Sequence, residues 1–129
     1  MHVIVEADDA AALTRGIQGL GIRVAKAINR MLHRRGRVWA DRFHARLLCT
    51  PREVRNALVY VLTNFKNHLR GAGGLDPRSS AASFTGWRSI KPPNPGTTPV
   101  VSPRTWLAAV GWRRHGLIDV GEGPCPTPA

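Results

Sequence analysis

Tyr60 is the only tyrosine in the chain, and its setting is polar. Asn56, Thr63, Asn64 and Asn67 share its side of a helical wheel, while Val54, Leu58, Val61, Leu62, Phe65 and Leu69 form an apolar stripe centred about 200° away. A phenol held off the packing face is available for acid–base or nucleophilic chemistry. The plain alternative is a surface tyrosine with a solvated hydroxyl. The phase of the wheel is well anchored, because Thr50, Pro51 and Glu53 supply an N-cap, a proline at the first helical position and the glutamate of a capping box. His44 is the other residue with chemical potential. No second ligand sits at a fixed local offset from it, so it reads as a surface or phosphate-contacting histidine rather than a metal ligand.

The elements that must position these residues begin with His2 to Ala7, whose alternation and branching predict a strand. Asp8 or Asp9 then caps a long helix. Leu13, Ile17, Leu20, Val24, Ile28, Met31 and Leu32 form the stripe of that helix, and Arg23, Lys26, Arg30 and Arg34 repeat along another side. Glycines at 16, 19 and 21 weaken it, and Gly36 is expected to end it. Arg37 to Cys49 reads as one strand or a strand pair, with Arg42, His44 and Arg46 on one face and Trp39, Phe43 and Leu47 on the other.

After Gly71 the character changes. Residues 71–101 are rich in Gly, Pro and Ser and read as a linker; Ser102 and Pro103 then look like the cap and first residue of a short helix with Trp106, Leu107 and Val110, followed by a basic segment. Trp87, Trp106 and Trp112 are expected to pack, although aromatics beside arginines also stack on bases. The expected organisation is a catalytic-type domain over 1–70, the linker over 71–101, a basic helical segment over 102–120 and a disordered tail over 121–129. Helices alternating with two or three strands predict an α+β layer fold with an unusually small sheet.

Nineteen Lys and Arg against eight Asp and Glu give a formal charge of +11. Residues 10–40 hold seven basic side chains and no acidic one. Such a block favours a polyanion: nucleic acid first, an anionic membrane surface second, with simple solubility as the alternative. Two cysteines, Cys49 and Cys125, make no disulfide framework or zinc motif, which fits a reducing cytoplasm. No signal peptide or stretch of membrane-spanning length is present, so a soluble, unprocessed protein is expected.

With these residues in view, the chain resembles the REP-associated tyrosine transposases, a branch of the single-tyrosine transposases in the HUH endonuclease superfamily. The segment from His2 through His68, HVIVEADD to TNFKNH, is similar to the family's run from its metal-binding strand to its tyrosine helix. TWLAAVGWRRHGLID, from Thr105 to Asp119, is similar to its C-terminal segment. The resemblance implies a ferredoxin-like α+β sandwich that binds single-stranded or hairpin DNA, with no membrane partner, as a monomer or homodimer associated with the nucleoid. It also implies a reaction: a tyrosine, here Tyr60, displaces a 3′-hydroxyl to form a 5′-phosphotyrosine, while a divalent metal, Mg²⁺ or Mn²⁺, polarises the phosphate. An ordinary phenol titrates near pH 10, so about one in a thousand is ionised at pH 7 and such a site must assist deprotonation.

His2 falls on the second histidine of the family's histidine–hydrophobe–histidine metal motif, and Asn64 on a further polar ligand position. Met1 falls on the hydrophobe and the first histidine has no counterpart; the family's first strand and helix are also missing, so the chain is expected to be N-terminally truncated and its metal binding weakened or lost. Arg23, Lys26, Arg30, Arg42, His44 and Arg46 are the candidate DNA contacts. The alternatives are a catalytically inactive remnant that only binds nucleic acid, and a basic RNA-binding accessory protein outside this family.

Overall fold

Asp9, itself extended, starts a helix by accepting a 2.7 Å hydrogen bond from the backbone N–H of Ala12. The resulting α1, Ala10–Met31, occurs in a computed structural model that describes residues 1–69, 71, 73–91 and 98–123. Two compact units divide the chain: Val5–Leu47 forms one, and Met1–Ile4 with Leu48–Ala129 forms the other. Tyr60 and the helix that bears it belong to the unit that contains Leu48–Ala129.

In the 5–47 unit, α1 ends earlier than Gly36. Arg34 N–H donates to Asn29 C=O at 2.9 Å and His33 N–H to Arg30 C=O at 3.3 Å, the paired bonds of a Schellman cap. His33 takes the left-handed position with φ 50°, a place that glycine occupies more cheaply. The chain then turns back on the helix. Asn29 Nδ2 donates to Gly36 C=O, and the Trp39 indole N–H donates to Gly21 C=O, both at 2.9 Å. No residue of this unit is buried.

Residues 2–7 and 37–49, expected to be strands, form no strand, and the described residues contain one isolated parallel bridge, Trp87 to Ile118. The fold is therefore helical with almost no strand. Alternation fixes which side a residue takes only when a neighbouring strand and a core exist to receive it. Neither is present for 37–49, and Phe43 and Leu47 stand exposed.

The second unit is built around α2, Pro51–Thr63, whose capping box is present as expected. Glu53 N–H donates to Thr50 Oγ1 at 3.2 Å, and Glu53 Oε2 accepts from the Thr50 and Cys49 N–H groups. A short α3, Phe65–His68, follows the break at Asn64. A 3₁₀ turn at Ser80–Ser83, a one-turn α4 at Trp106–Ala109 and a second 3₁₀ turn at Gly111–His115 complete the elements. The cap of α4 is Thr105 rather than Ser102.

Val54, Val59, Leu62, Ala81, Trp87, Trp112 and Ile118 form the core. Ala81 and Trp87 thus bring the stretch expected to be a linker into the interior. The indole N–H of Trp87 donates to Ala81 C=O and that of Trp112 to Ala108 C=O, each at 3.0 Å, so neither ring buries an unsatisfied donor. Phe84 lies stacked on Trp112 and edge-on to Trp87, with centroids 5.6 and 5.3 Å away. Gly86 is required here, because a Cβ would sit 2.3 Å from Cη2 of Trp112. The bridge beside it is closed by Arg88 N–H to Ile118 C=O at 2.8 Å and Ile118 N–H to Gly86 C=O at 3.0 Å.

The buried face of α2 is turned about 70° from the expected apolar stripe, at 100° per residue. Val59 and Thr63 are buried, and Leu69 is exposed. Thr63 is admitted because its hydroxyl donates to Val59 C=O at 2.6 Å.

Candidate nucleic-acid site

Tyr60 is half-buried on α2, and the N-terminal segment supplies its neighbour. The His2 ring meets the Tyr60 ring edge to face, with centroids 5.0 Å apart and planes at 87°. Both residues belong to the same unit, so two of the residues matched by the resemblance meet here. Asn64 caps α2 one turn further on. Its N–H donates to Tyr60 C=O at 2.9 Å, and its Oδ1 accepts from Asn67 Nδ2 at 3.3 Å.

These donors fit a divalent ion poorly. One imidazole and one amide, whose oxygen already accepts from Asn67, do not supply the oxygen-rich near-octahedral shell that Mg²⁺ takes. Among the described residues no group of three His, Cys, Asp or Glu side chains could hold an ion.

The six basic candidates all lie in the other unit. Arg23, Lys26 and Arg30 are exposed on α1, and Arg42, His44 and Arg46 are exposed on the non-helical segment after it. Near the start of α1, Arg15, Gly16, Gly19, Leu20 and Arg23 line a surface cleft. Gly16 and Gly19 leave open space where side chains would stand, so an anionic backbone can approach the helix between the two arginines.

Sequence reasoning missed a polar clamp on the opposite side of α2. Arg55 lies in the middle of the buried arc and donates to Gly116 C=O at 2.9 Å and Leu117 C=O at 3.0 Å. It also pairs with both carboxylate oxygens of Glu122, at 2.8 and 3.0 Å. Lys66 Nζ donates to the carbonyls of Val120 and Glu122. Glu122, expected in the disordered tail, is thereby fixed; residues 124–129, including Cys125, lie outside the described residues. The signal was an arginine flanked on the wheel by Val54, Leu58, Val59 and Leu62, which needs a partner once buried.

Electrostatics at the clamp follow from these bonds. Arg55 hydrogen bonding holds the Glu122 carboxyl below its ordinary range, against the opposing effect of burial. The Gly121 N–H and then the Ser89 hydroxyl do the same for Asp119.

No protein-family model, curated protein or solved structure matches the chain. No helix among the described residues is long and apolar enough to cross a membrane.

Proposed function

We propose that this protein binds single-stranded or hairpin DNA and acts as a transposase-like endonuclease and strand transferase with Tyr60 as its nucleophile. The observation that supports this reading is the His2–Tyr60 ring contact, which joins the two residues that the resemblance pairs across more than fifty positions of sequence. The exposed basic side chains of Val5–Leu47 supply the matching phosphate-binding surface. The finer fold reading, a ferredoxin-like sandwich, and association with the nucleoid belong to the same proposal.

In the reaction, the Tyr60 oxygen bonds to phosphorus and the bond from phosphorus to the 3′-oxygen breaks. The phenolic proton is lost as the oxygen attacks, and the departing 3′-oxygen gains a proton to leave as a hydroxyl. The phosphotyrosine keeps the energy of the broken ester for rejoining. The family's divalent metal is part of the reading, yet His2 and Asn64 meet its needs poorly.

That donor set favours a second reading, a protein that binds the DNA without cleaving it. Incubation with end-labelled hairpin DNA and Mg²⁺ or Mn²⁺ separates the two. The endonuclease reading expects a protein–DNA species stable to denaturation with wild type and none with Tyr60→Phe. Binding without that species supports the second reading, and failure to bind DNA at all defeats both.

A further inference from the structure

We propose that Trp106 and Arg114 form a stacking platform for the bases of single-stranded nucleic acid. This rests on the nucleic-acid part of the proposed function and is independent of Tyr60 chemistry. The four tryptophans divide sharply by environment. Trp87 and Trp112 are core residues with their indole N–H groups bonded, and Trp39 is half-buried with its N–H on Gly21. Trp106 is 50% exposed.

That exposed ring is nevertheless held firmly. It rests against the backbone at Gly111, where a Cβ would come within 2.7 Å of Cζ3, so no side chain fits between ring and main chain. The Arg114 guanidinium lies over the ring, 4.8 Å from its centroid. A braced indole loses little freedom when a base stacks on it or on the guanidinium plane, which preserves more of the stacking energy as affinity.

Charge around the ring suits the same ligand. Arg104, Arg113 and Arg114 are exposed within residues 104–115, and that stretch contains no Asp or Glu. A base stacked on Trp106 would bring its phosphates among these cations. Duplex DNA keeps its base faces covered, so this combination of a π-face and cations selects unpaired strands. Trp112 cannot share the task, because its ring is packed against Phe84 and only 2% of it is exposed.

The test is fluorescence anisotropy with the full chain, using a labelled DNA strand of about 15 nucleotides, the RNA strand of the same sequence, the matching duplex and anionic phospholipid vesicles. Trp106→Leu keeps apolar cover over Gly111 without a π-face; it is expected to weaken single-strand binding about 5- to 100-fold and leave duplex binding within about twofold. Trp106→Tyr is expected to restore most of the loss. Arg114→Gln leaves the indole in place and is expected to lower single-strand affinity more than duplex affinity. The DNA and RNA arms identify which strand is preferred. Wild-type affinity in Trp106→Leu, or equal losses on strand, duplex and vesicles, overturns the platform while leaving DNA binding intact. A wild-type chain that binds no nucleic acid overturns this inference and the proposed function together. If Trp106→Leu does not fold, equal losses on strand and duplex in Arg114→Gln overturn the platform.

Discussion

The two units solve opposite problems. The unit holding α2 closes a small core around Trp112, Trp87 and Ile118 and satisfies the polar groups it buries; Val5–Leu47 buries no residue and displays a basic helix. A helix of α1's length draws little stability from propensity alone and depends on packing for the rest. The difference teaches that helical amphipathicity does not by itself make a core. Leu20, Met31 and Leu32 occupy the expected stripe of α1 yet remain exposed, whereas the buried face of α2 is centred on Arg55 rather than on its apolar stripe.

The strongest challenge to this contrast is Trp112→Ala. Loss of the ring from beside Phe84 and Gly86 should cost the cored unit about 3–5 kcal/mol in urea unfolding, read from near-ultraviolet circular dichroism, while far-ultraviolet signal from α1 changes little. Equal loss in both signals would show that the units unfold as one.

Arg55→Ala comes next, with an expected cost of about 2–4 kcal/mol, because Glu122 loses its charged partner and the Gly116 and Leu117 carbonyls lose the guanidinium donors. Faster amide exchange over residues 116–122 would locate the damage. Unchanged exchange there would mean that the clamp does not hold the segment.

Acid should weaken the same contacts with a definite sign. Asp119 and Glu122 have carboxyls held below their ordinary range. Their stabilising contribution is therefore fully present above the ordinary carboxylate range, near pH 4 to 5, and is lost as pH falls through the lowered folded-state values. A urea midpoint for the cored unit that stays level from pH 7 to about 5 and drops below it is the expected result. For Arg55→Ala the acid drop should shrink.

The smallest effect belongs to the other unit. His33→Gly removes the left-handed strain at the cap of α1 and should stabilise that helix by about 0.5–1 kcal/mol, seen as slower exchange of its last-turn amides. The cored unit should not respond.

Local signals were legible and long-range ones were not. Asp9, Thr50 and Glu53 announced both long helices because a cap is read by its own next three residues. The alternation in 37–49 was equally visible, but a strand is defined by its partner, and no period in the segment reveals whether one exists. Residues 71–101 looked like a linker because they are rich in Gly, Pro and Ser; the stretch's contribution to the core rests on Ala81 and Trp87, single residues without periodicity. Tyr60 was identifiable as a polar-face residue, and its pairing with His2 came from the resemblance alone, since a ring pair nearly sixty residues apart leaves no mark on a wheel. The Arg55–Glu122 pair was hidden for the same reason.

Amide hydrogen exchange with and without hairpin DNA tests the central contrast most directly. If the chain binds DNA as proposed, α2 should exchange slowly in the free protein and change little on binding, whereas α1 should exchange through low-energy openings and slow as DNA covers Arg23, Lys26 and Arg30. An α1 that is as protected as α2 without DNA, or that ignores saturating hairpin, would contradict this contrast.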